Sequence, residues 1–98
     1  MNIYRHGDVL IKEVSVVKGD KLPHLTLAEG EVTGHSHKIT DGIATLFKFD
    51  DALYLDIQSE LATLSHEEHH ALQLPRGQYE IIIQREYDDE NEWRNVAD

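Results

Sequence analysis

The amino-acid sequence predicts an all-β protein, a small barrel or sandwich built from about seven or eight short strands. Several segments alternate apolar with polar residues or are rich in β-branched side chains, as in residues 8–16 and 52–57. Turn-forming pairs such as Asp41-Gly42 and Asp50-Asp51 separate these segments. The chain has 98 residues, which is the size of one domain, so residues 1–98 are expected to form a single β-rich unit.

The predicted strands follow one another at intervals of about 8–12 residues. In chain order they occupy residues 8–16, 25–29, 31–39, 43–49, 52–57, 61–64, 71–74 and 78–87. Asp41-Gly42 predicts a tight hairpin between the third and fourth strands, and Pro75-Arg76-Gly77 predicts a turn before the last one. Asp89 and Glu92 have the spacing of a capping box, which predicts a short C-terminal helical turn.

Composition and charge argue against several classes of function. The net charge is −10, whereas sequence-independent binding of nucleic acid needs a positive field, so nucleic acid is a disfavoured partner. There is no cysteine, which excludes disulfides, thiolate ligands and a cysteine nucleophile and fits a cytoplasmic protein. No apolar run approaches the roughly 18 residues of a membrane span, and no signal peptide is recognised, so a membrane location is not expected.

Histidine is the residue type in clear excess. The chain has seven histidines, where a typical frequency of about 2% predicts roughly two. His35 and His37 are separated by one residue, so on a strand both rings lie on the same face, about 7 Å apart. Because neutral imidazole is a good ligand for transition metals, these two are candidate metal ligands, with exposure on an edge strand as the alternative. His6 and His24, which stand alone in turn and loop segments, are predicted to lie at the surface.

A second group of candidates lies in the segment Ser65-His66-Glu67-Glu68-His69-His70. On a helix His66 would share a face with His69 and His70, whereas on a strand it would share a face with Glu68 and His70. Both geometries offer metal ligands, and a solvated polar turn is the alternative. The segment also matches the H-E-x-x-H pattern of zinc proteases. That match is rejected, because the pattern requires a long helix and Pro75 follows too closely.

Two loose motifs stand in the region from residue 30 to residue 80. The first has a glycine, His-x-His and a carboxylate and the second has Pro-x-Gly: Gly30, His35, His37, Asp41 and Pro75-Arg76-Gly77. This arrangement resembles the cupins, a superfamily of small β-barrels, although Glu80 stands where a cupin has its last histidine. The resemblance implies a barrel that holds one divalent metal inside, with His35 and His37 as the ligands that match best.

The first of three open hypotheses is a metal-binding β-barrel. His35 and His37, completed by His66, His69 or His70, would hold a divalent transition metal such as Zn, Ni, Fe or Mn. An open coordination position would make the protein a metal-dependent enzyme acting on a small-molecule ligand, and a closed shell would make the metal structural.

The other two hypotheses need no metal. In one, histidines act as general base and acid on a phosphodiester, as in some ribonucleases, with Arg76, Arg85 or Lys38 supplying positive charge. In the other, the chain is a non-catalytic acidic module that binds or regulates a partner. The predicted edge strands also favour a homodimer.

Overall fold

The computed structural model describes residues 2–29, 35–67, 69–87 and 93–95. Throughout these ranges the regular secondary structure is entirely β, as predicted. In chain order the strands are β1 (Ile3–His6), β2 (Val9–Glu13), β3 (Asp20–Lys21), β4 (Thr26–Glu29), β5 (Ser36–Asp41), β6 (Ala44–Phe49), β7 (Ala52–His66), β8 (His69–Ile83), β9 (Arg85–Tyr87) and β10 (Trp93–Asn95). No helix in the described ranges is long and apolar enough to cross a membrane.

β7 and β8 are the central pair of the sheet. They pair with each other almost from end to end, from Leu53 opposite Ile81 to His66 opposite His69. The other edge of β7 is shared, because β6 pairs with its first half and β5 with its second half. The order across the sheet is β1-β2-β8-β7-β5-β4, and β3 is added to β6. β9 and β10 form a separate two-stranded sheet.

The sheet curls strongly along β8. His6 pairs with Val9, and Val9 in turn lies opposite Ile83 at the end of β8. Nevertheless, Nε2 of His6 is 2.9 Å from the carbonyl oxygen of His70, near the start of β8. A straight strand would separate residues 70 and 83 by about 43 Å. The sheet must therefore curl into a half-barrel, in which the turn between β1 and β2 reaches the beginning of β8.

Aliphatic side chains fill the inside of this curl. The largest fully buried ones come from five different strands: Ile11, Leu27, Leu46, Leu55, Ile57, Leu64 and Leu74. Leu55 and Ile57 confirm the predicted burial of one face of residues 52–57, since alternate residues of a strand point to the same side. Removal of such side chains from water contributes roughly 1.5–3 kcal/mol each and is the main force that closes the sheet.

The hairpin predicted at Asp41-Gly42 is wrong. In the described sheet β5 and β6, which lie on either side of this pair, each pair with β7 and not with each other. Gly42 has a φ of 100°, and a Cβ at this position would lie 2.7 Å from the carbonyl oxygen of Leu61. The glycine therefore permits a close crossing past β7 and not a two-residue turn. The turn predicted at Asp50-Asp51 does join β6 to β7, with Phe49 opposite Ala52.

The turn predicted at Pro75-Arg76-Gly77 is also wrong, because these residues lie within β8. β7 places residues 58–60 opposite Arg76 alone, so the two strands are separated here by a bulge. A bulge removes ladder hydrogen bonds, which lets a strand accept a proline, and it bends the sheet. Nε of Arg76 donates to the carbonyl oxygen of Gln58 at 3.0 Å and spans the bulge.

The predicted C-terminal helical turn is wrong where the structure describes it. Residues 93–95 form β10, which pairs antiparallel with β9. A neighbouring strand thus satisfies the backbone groups that the helical turn would have used internally. The predicted capping residues Asp89 and Glu92 lie outside the described residues.

Tyr79 closes the core beneath the bulge. Its side chain is almost fully buried, and its hydroxyl donates to the carbonyl oxygen of Pro75 at 2.8 Å. Burial, together with the neighbouring Tyr4 and Glu13, raises the pKa of Tyr79 to about 12. Because the folded state favours the neutral phenol, this group stabilises the fold fully below pH 10 and loses its contribution as the pH rises from 10 to about 12.

We expect Tyr79→Phe to unfold more easily at pH 8, by about 1 kcal/mol, because the hydrogen bond to Pro75 is lost. Above pH 10 the free energy of unfolding should fall more steeply for the wild-type protein than for this variant. Urea unfolding between pH 8 and pH 11 measures both effects. Equal pH dependence of the two proteins would contradict this account of Tyr79.

Candidate functional site

Five of the seven histidines meet at one end of the half-barrel. They come from four strands and one strand-flanking position, and we call them the histidine cluster: His6, His35, His37, His66 and His69. The centroids of the contacting rings are 4.4 to 6.4 Å apart. His6, His37 and His66 are buried, and His35 and His69 are partly buried. Imidazoles are seldom concentrated in this way inside a small domain, because each one carries polar nitrogens that need partners.

Three neighbouring strands supply a row of inward-facing histidines. His66 at the end of β7 lies opposite His69 at the start of β8. On the other side of β7, β5 pairs through Lys38 opposite Ser65, which brings His37 beside His66. The ring centroids are 4.4 Å apart for His37 and His66 and 4.7 Å apart for His66 and His69. The row follows directly from cross-strand pairing on one face of the sheet.

The turn between β1 and β2 covers this row. It brings the ring of His6 and the carboxylate of Asp8 into the cluster, with exposed fractions of 4% and 1%. Nδ1 of His6 is 2.9 Å from Nδ1 of His37. Nε2 of His37, whose side chain is completely buried, is 3.4 Å from Oδ1 of Asp8. A carboxylate and two imidazoles are thus buried in mutual contact.

The surroundings of His6 and His37 decide where their protons lie. The carbonyl oxygen of His70 can only accept, so Nε2 of His6 donates to it at 2.9 Å. The Asp8 carboxylate favours a proton on the facing Nε2 of His37. The two Nδ1 atoms, 2.9 Å apart, then face each other either as donor and acceptor of one hydrogen bond or as two ligands of one cation. Two lone pairs at this distance repel each other unless a cation lies between them, either a proton or a metal ion.

Gly7 allows the turn to approach the rings so closely. Its φ is 64°, a left-handed conformation that glycine adopts without strain. A Cβ on Gly7 would lie 2.8 Å from Nε2 of His69 and 3.1 Å from Cε1 of His37. Nε2 of His69 is buried and has no hydrogen-bond partner among the described residues. A nitrogen of this kind is therefore available to a further ligand at the place where the turn, β5 and β8 meet.

A second arrangement of ligands lies on the solvent side of His66. One ligand atom each from His35, His66 and Glu67 all lie within 4.8 Å of one another. Oε1 of Glu67 accepts a hydrogen bond from the backbone N–H of Ser36 at 3.0 Å. That bond lowers the pKa of the Glu67 carboxyl, with smaller contributions in the same direction from its own backbone N–H, His35 and His66. We call these three residues the outer triad.

A shallow pocket adjoins the outer triad. It has a volume of about 200 Å³ and is lined by Ser36, Lys38, Ser65, His66 and Glu67. Glu67 and Lys38 are exposed there, whereas Ser36 and His66 are buried at its floor. The pocket therefore brings solvent next to two members of the outer triad, His66 and Glu67.

Four of the five predicted ligands come together in this site: His35, His37, His66 and His69. The side chain of His70 is exposed, because residues of β8 alternate between the two faces of the sheet, and it contributes its backbone carbonyl oxygen instead. His66 ends β7, Glu67 lies in a turn and His69 begins β8, so the helical alternative does not apply to these residues. His24 is exposed, as predicted.

Three members of the site are not identified as such by the sequence. His6 is predicted to lie at the surface and is buried, Asp8 is not singled out, and Glu67 is named only as part of the candidate segment from Ser65 to His70. A recognisable signal was the order His6-Gly7-Asp8, in which a glycine turn holds an imidazole and a carboxylate side by side. This order predicts a site only when the curl of the sheet, which brings the turn to the start of β8, is known.

The additional cupin positions do not join the cluster. Asp41 is exposed at the end of β5, opposite Thr63. Glu80 lies in the far half of β8, opposite Lys12 and Tyr54. Gly30 is outside the described residues. The carboxylates that do accompany the histidines are those of Asp8 and Glu67.

Comparison with known proteins identifies a family without a known function. Neither the curated proteins nor the solved structures contain a match to this chain. A family model described as a domain of unknown function, DUF8820, matches residues 5–84. This range includes every member of the histidine cluster, Asp8 and Glu67. The chain therefore belongs to the DUF8820 family.

Proposed function

We propose that the protein binds a divalent transition-metal ion between His6, His37 and His69. The observation that carries this proposal is the pair of Nδ1 atoms of His6 and His37, which face each other at 2.9 Å. The other nitrogen of His6 is hydrogen-bonded to the carbonyl oxygen of His70, and the other nitrogen of His37 lies 3.4 Å from the carboxylate of Asp8. Histidines that ligate metals almost always have such an acceptor behind them, because it fixes the tautomer and the ring orientation.

The separation of the two nitrogens suits a shared ion. Imidazole nitrogens lie about 2.0–2.1 Å from a bound ion such as zinc, so two of them at bond angles of 90–109° are about 2.9–3.4 Å apart. The observed 2.9 Å between Nδ1 of His6 and Nδ1 of His37 falls at the lower end of this range. Little movement of either ring is therefore needed to admit an ion.

The third ligand and the charge also fit a metal ion. Nε2 of His69 is buried and lies beside Gly7 together with Cε1 of His37. It must move towards the two Nδ1 atoms to complete the shell, because His6, His37 and His69 do not bring their ligand atoms within 4.8 Å of one another. Asp8 adds one negative charge that is almost completely removed from water, and a buried carboxylate requires a positive partner. A set of imidazole nitrogens favours Zn, Ni or Fe over Mn, which prefers oxygen ligands.

The geometry gives less support to the two hypotheses without a metal. Acid–base catalysis needs a histidine that touches its substrate. The completely buried His37 cannot do so, and within the histidine cluster only the outer triad beside the pocket offers such a histidine. Arg76, one of the proposed sources of positive charge, is engaged with Gln58 at the bulge. A purely acidic binding module would have no use for several buried imidazoles around a carboxylate.

We expect protein purified without an affinity tag, or reconstituted with zinc, to retain a tightly bound ion after dialysis. His37→Gln/His69→Gln should lose this ion, because two of its three ligands are gone. His24→Gln/His70→Gln is the matched control, since both of its rings are exposed, and it should retain the ion. Elemental mass spectrometry gives the stoichiometry, and circular dichroism verifies that each variant is folded. Retention of the ion with wild-type affinity in the first double variant would refute the proposal.

A milder substitution tests the acceptor behind His37. Asp8→Asn preserves the shape of the side chain but removes its charge, so we expect the affinity for zinc to fall about 10- to 100-fold. Asp51→Asn makes the same charge change in the exposed β6–β7 turn and should leave the affinity unchanged. Competition with a chromogenic chelator measures both. An unaltered affinity in Asp8→Asn would mean that Asp8 does not orient a metal ligand.

A further inference from the structure

We propose that the outer triad, His35, His66 and Glu67, binds a second divalent ion, which exchanges with solvent. This inference goes beyond the proposed function, because the three residues form a site separate from the ion between His6, His37 and His69. It rests on the mutual distances of their ligand atoms, all within 4.8 Å, and on the pocket beside them.

The three ligand atoms are close to a coordinating arrangement. Ligands at about 2.0–2.2 Å from an octahedral ion lie about 3 Å apart when adjacent and about 4.2 Å apart when opposite. Three ligands on one side of an ion are all adjacent, so atoms that lie within 4.8 Å of one another approach by up to about 2 Å when they bind it. Glu67 is exposed and His35 is only partly buried, so small changes of their side-chain torsions can close the remaining gap.

A hydrogen bond from the backbone orients the carboxylate of Glu67 for this role. The backbone N–H of Ser36 donates to Oε1 of Glu67 at 3.0 Å. Ser36 precedes His37 and follows His35, so the same short segment orients the carboxylate of the outer triad and carries one of its imidazoles. A carboxylate with such a hydrogen bond behind it has lost part of the freedom that ion binding would otherwise remove.

The chemistry of the outer triad differs from that of the buried site. Two imidazoles and one carboxylate occupy one side of an ion and leave its other positions open, an arrangement typical of Fe(II) and also suited to Mn(II). The adjoining pocket of about 200 Å³ is lined by two of the three residues, His66 and Glu67, and opens to solvent. The ion bound here should therefore carry water that exchanges with bulk solvent.

His66 lies between the two sites. Its ring centroid is 5.6 Å from that of His35 and 4.4 Å from that of His37. The two ions would therefore be near neighbours, with one imidazole between them.

The test counts ions in the full chain. Metal-free protein is equilibrated with Zn(II), and separately with Mn(II), and the bound metal is measured after equilibrium dialysis. We expect two equivalents of zinc in the wild-type protein and one in His35→Gln/Glu67→Gln. His24→Gln/Glu60→Gln makes the same chemical changes at exposed positions and should bind two. Bound Mn(II) should enhance the relaxation of water protons in the wild-type protein, and this enhancement should be lost in the outer-triad variant.

Each outcome has a distinct meaning. A single equivalent in the wild-type protein that persists in His35→Gln/Glu67→Gln overturns the second site and leaves the proposed function intact. A single equivalent lost in both the outer-triad variant and His37→Gln/His69→Gln indicates one shared centre and also overturns it. An ion lost only with the outer-triad residues supports the outer site and contradicts the proposed function. If His35→Gln impairs folding, Glu67→Gln alone changes one exposed side chain and should weaken the second ion at least about tenfold.

Discussion

A buried carboxylate against a group of imidazoles is the interaction on which the site depends. Asp8 and His6 lie on a turn that covers the histidines of β5, β7 and β8. Burial of a charge is costly unless a cation and hydrogen bonds compensate for it. The contacts of Asp8 with His37, of His37 with His6 and of His6 with the carbonyl of His70 form a continuous chain that provides this compensation. A proton or a metal ion between the two facing nitrogens completes it.

The curl of the sheet makes this chain of contacts possible. The bulge at residues 58–60 and the proline opposite it divide β7 and β8 into two segments. The sheet curls enough for the β1–β2 turn to meet the hairpin that joins β7 to β8. Gly7 then allows the turn to lie directly on the rings of His37 and His69. The apolar core provides the stability, and the curl that it fills brings the polar site together.

The sequence was sufficient for the fold class and for part of the site. Alternation in residues 52–57 correctly predicted a buried face, and His35 and His37, which were singled out by their spacing, each contact the ring of His66. The features that the sequence did not reveal depend on contacts between residues that lie far apart along the chain. Asp41-Gly42 has the composition of a hairpin turn, but β7 offered a better partner to both flanking strands. Pro75 predicted a turn between strands, but it lies within β8, where a bulge in β7 accommodates it. His6 was mistaken for a surface residue because its burial depends on contacts with residues 37 and 70, far along the chain.

Crystallography of the zinc-loaded protein, with anomalous scattering at the zinc edge, tests directly whether an ion lies between His6 and His37. We expect a peak about 2.0–2.1 Å from Nδ1 of each ring, with Asp8 and the carbonyl of His70 still behind them. Absence of a peak at this position, with the two rings still in contact through a proton, would contradict the proposed function. The carboxylate and the imidazoles would then form a self-contained structural network without a metal.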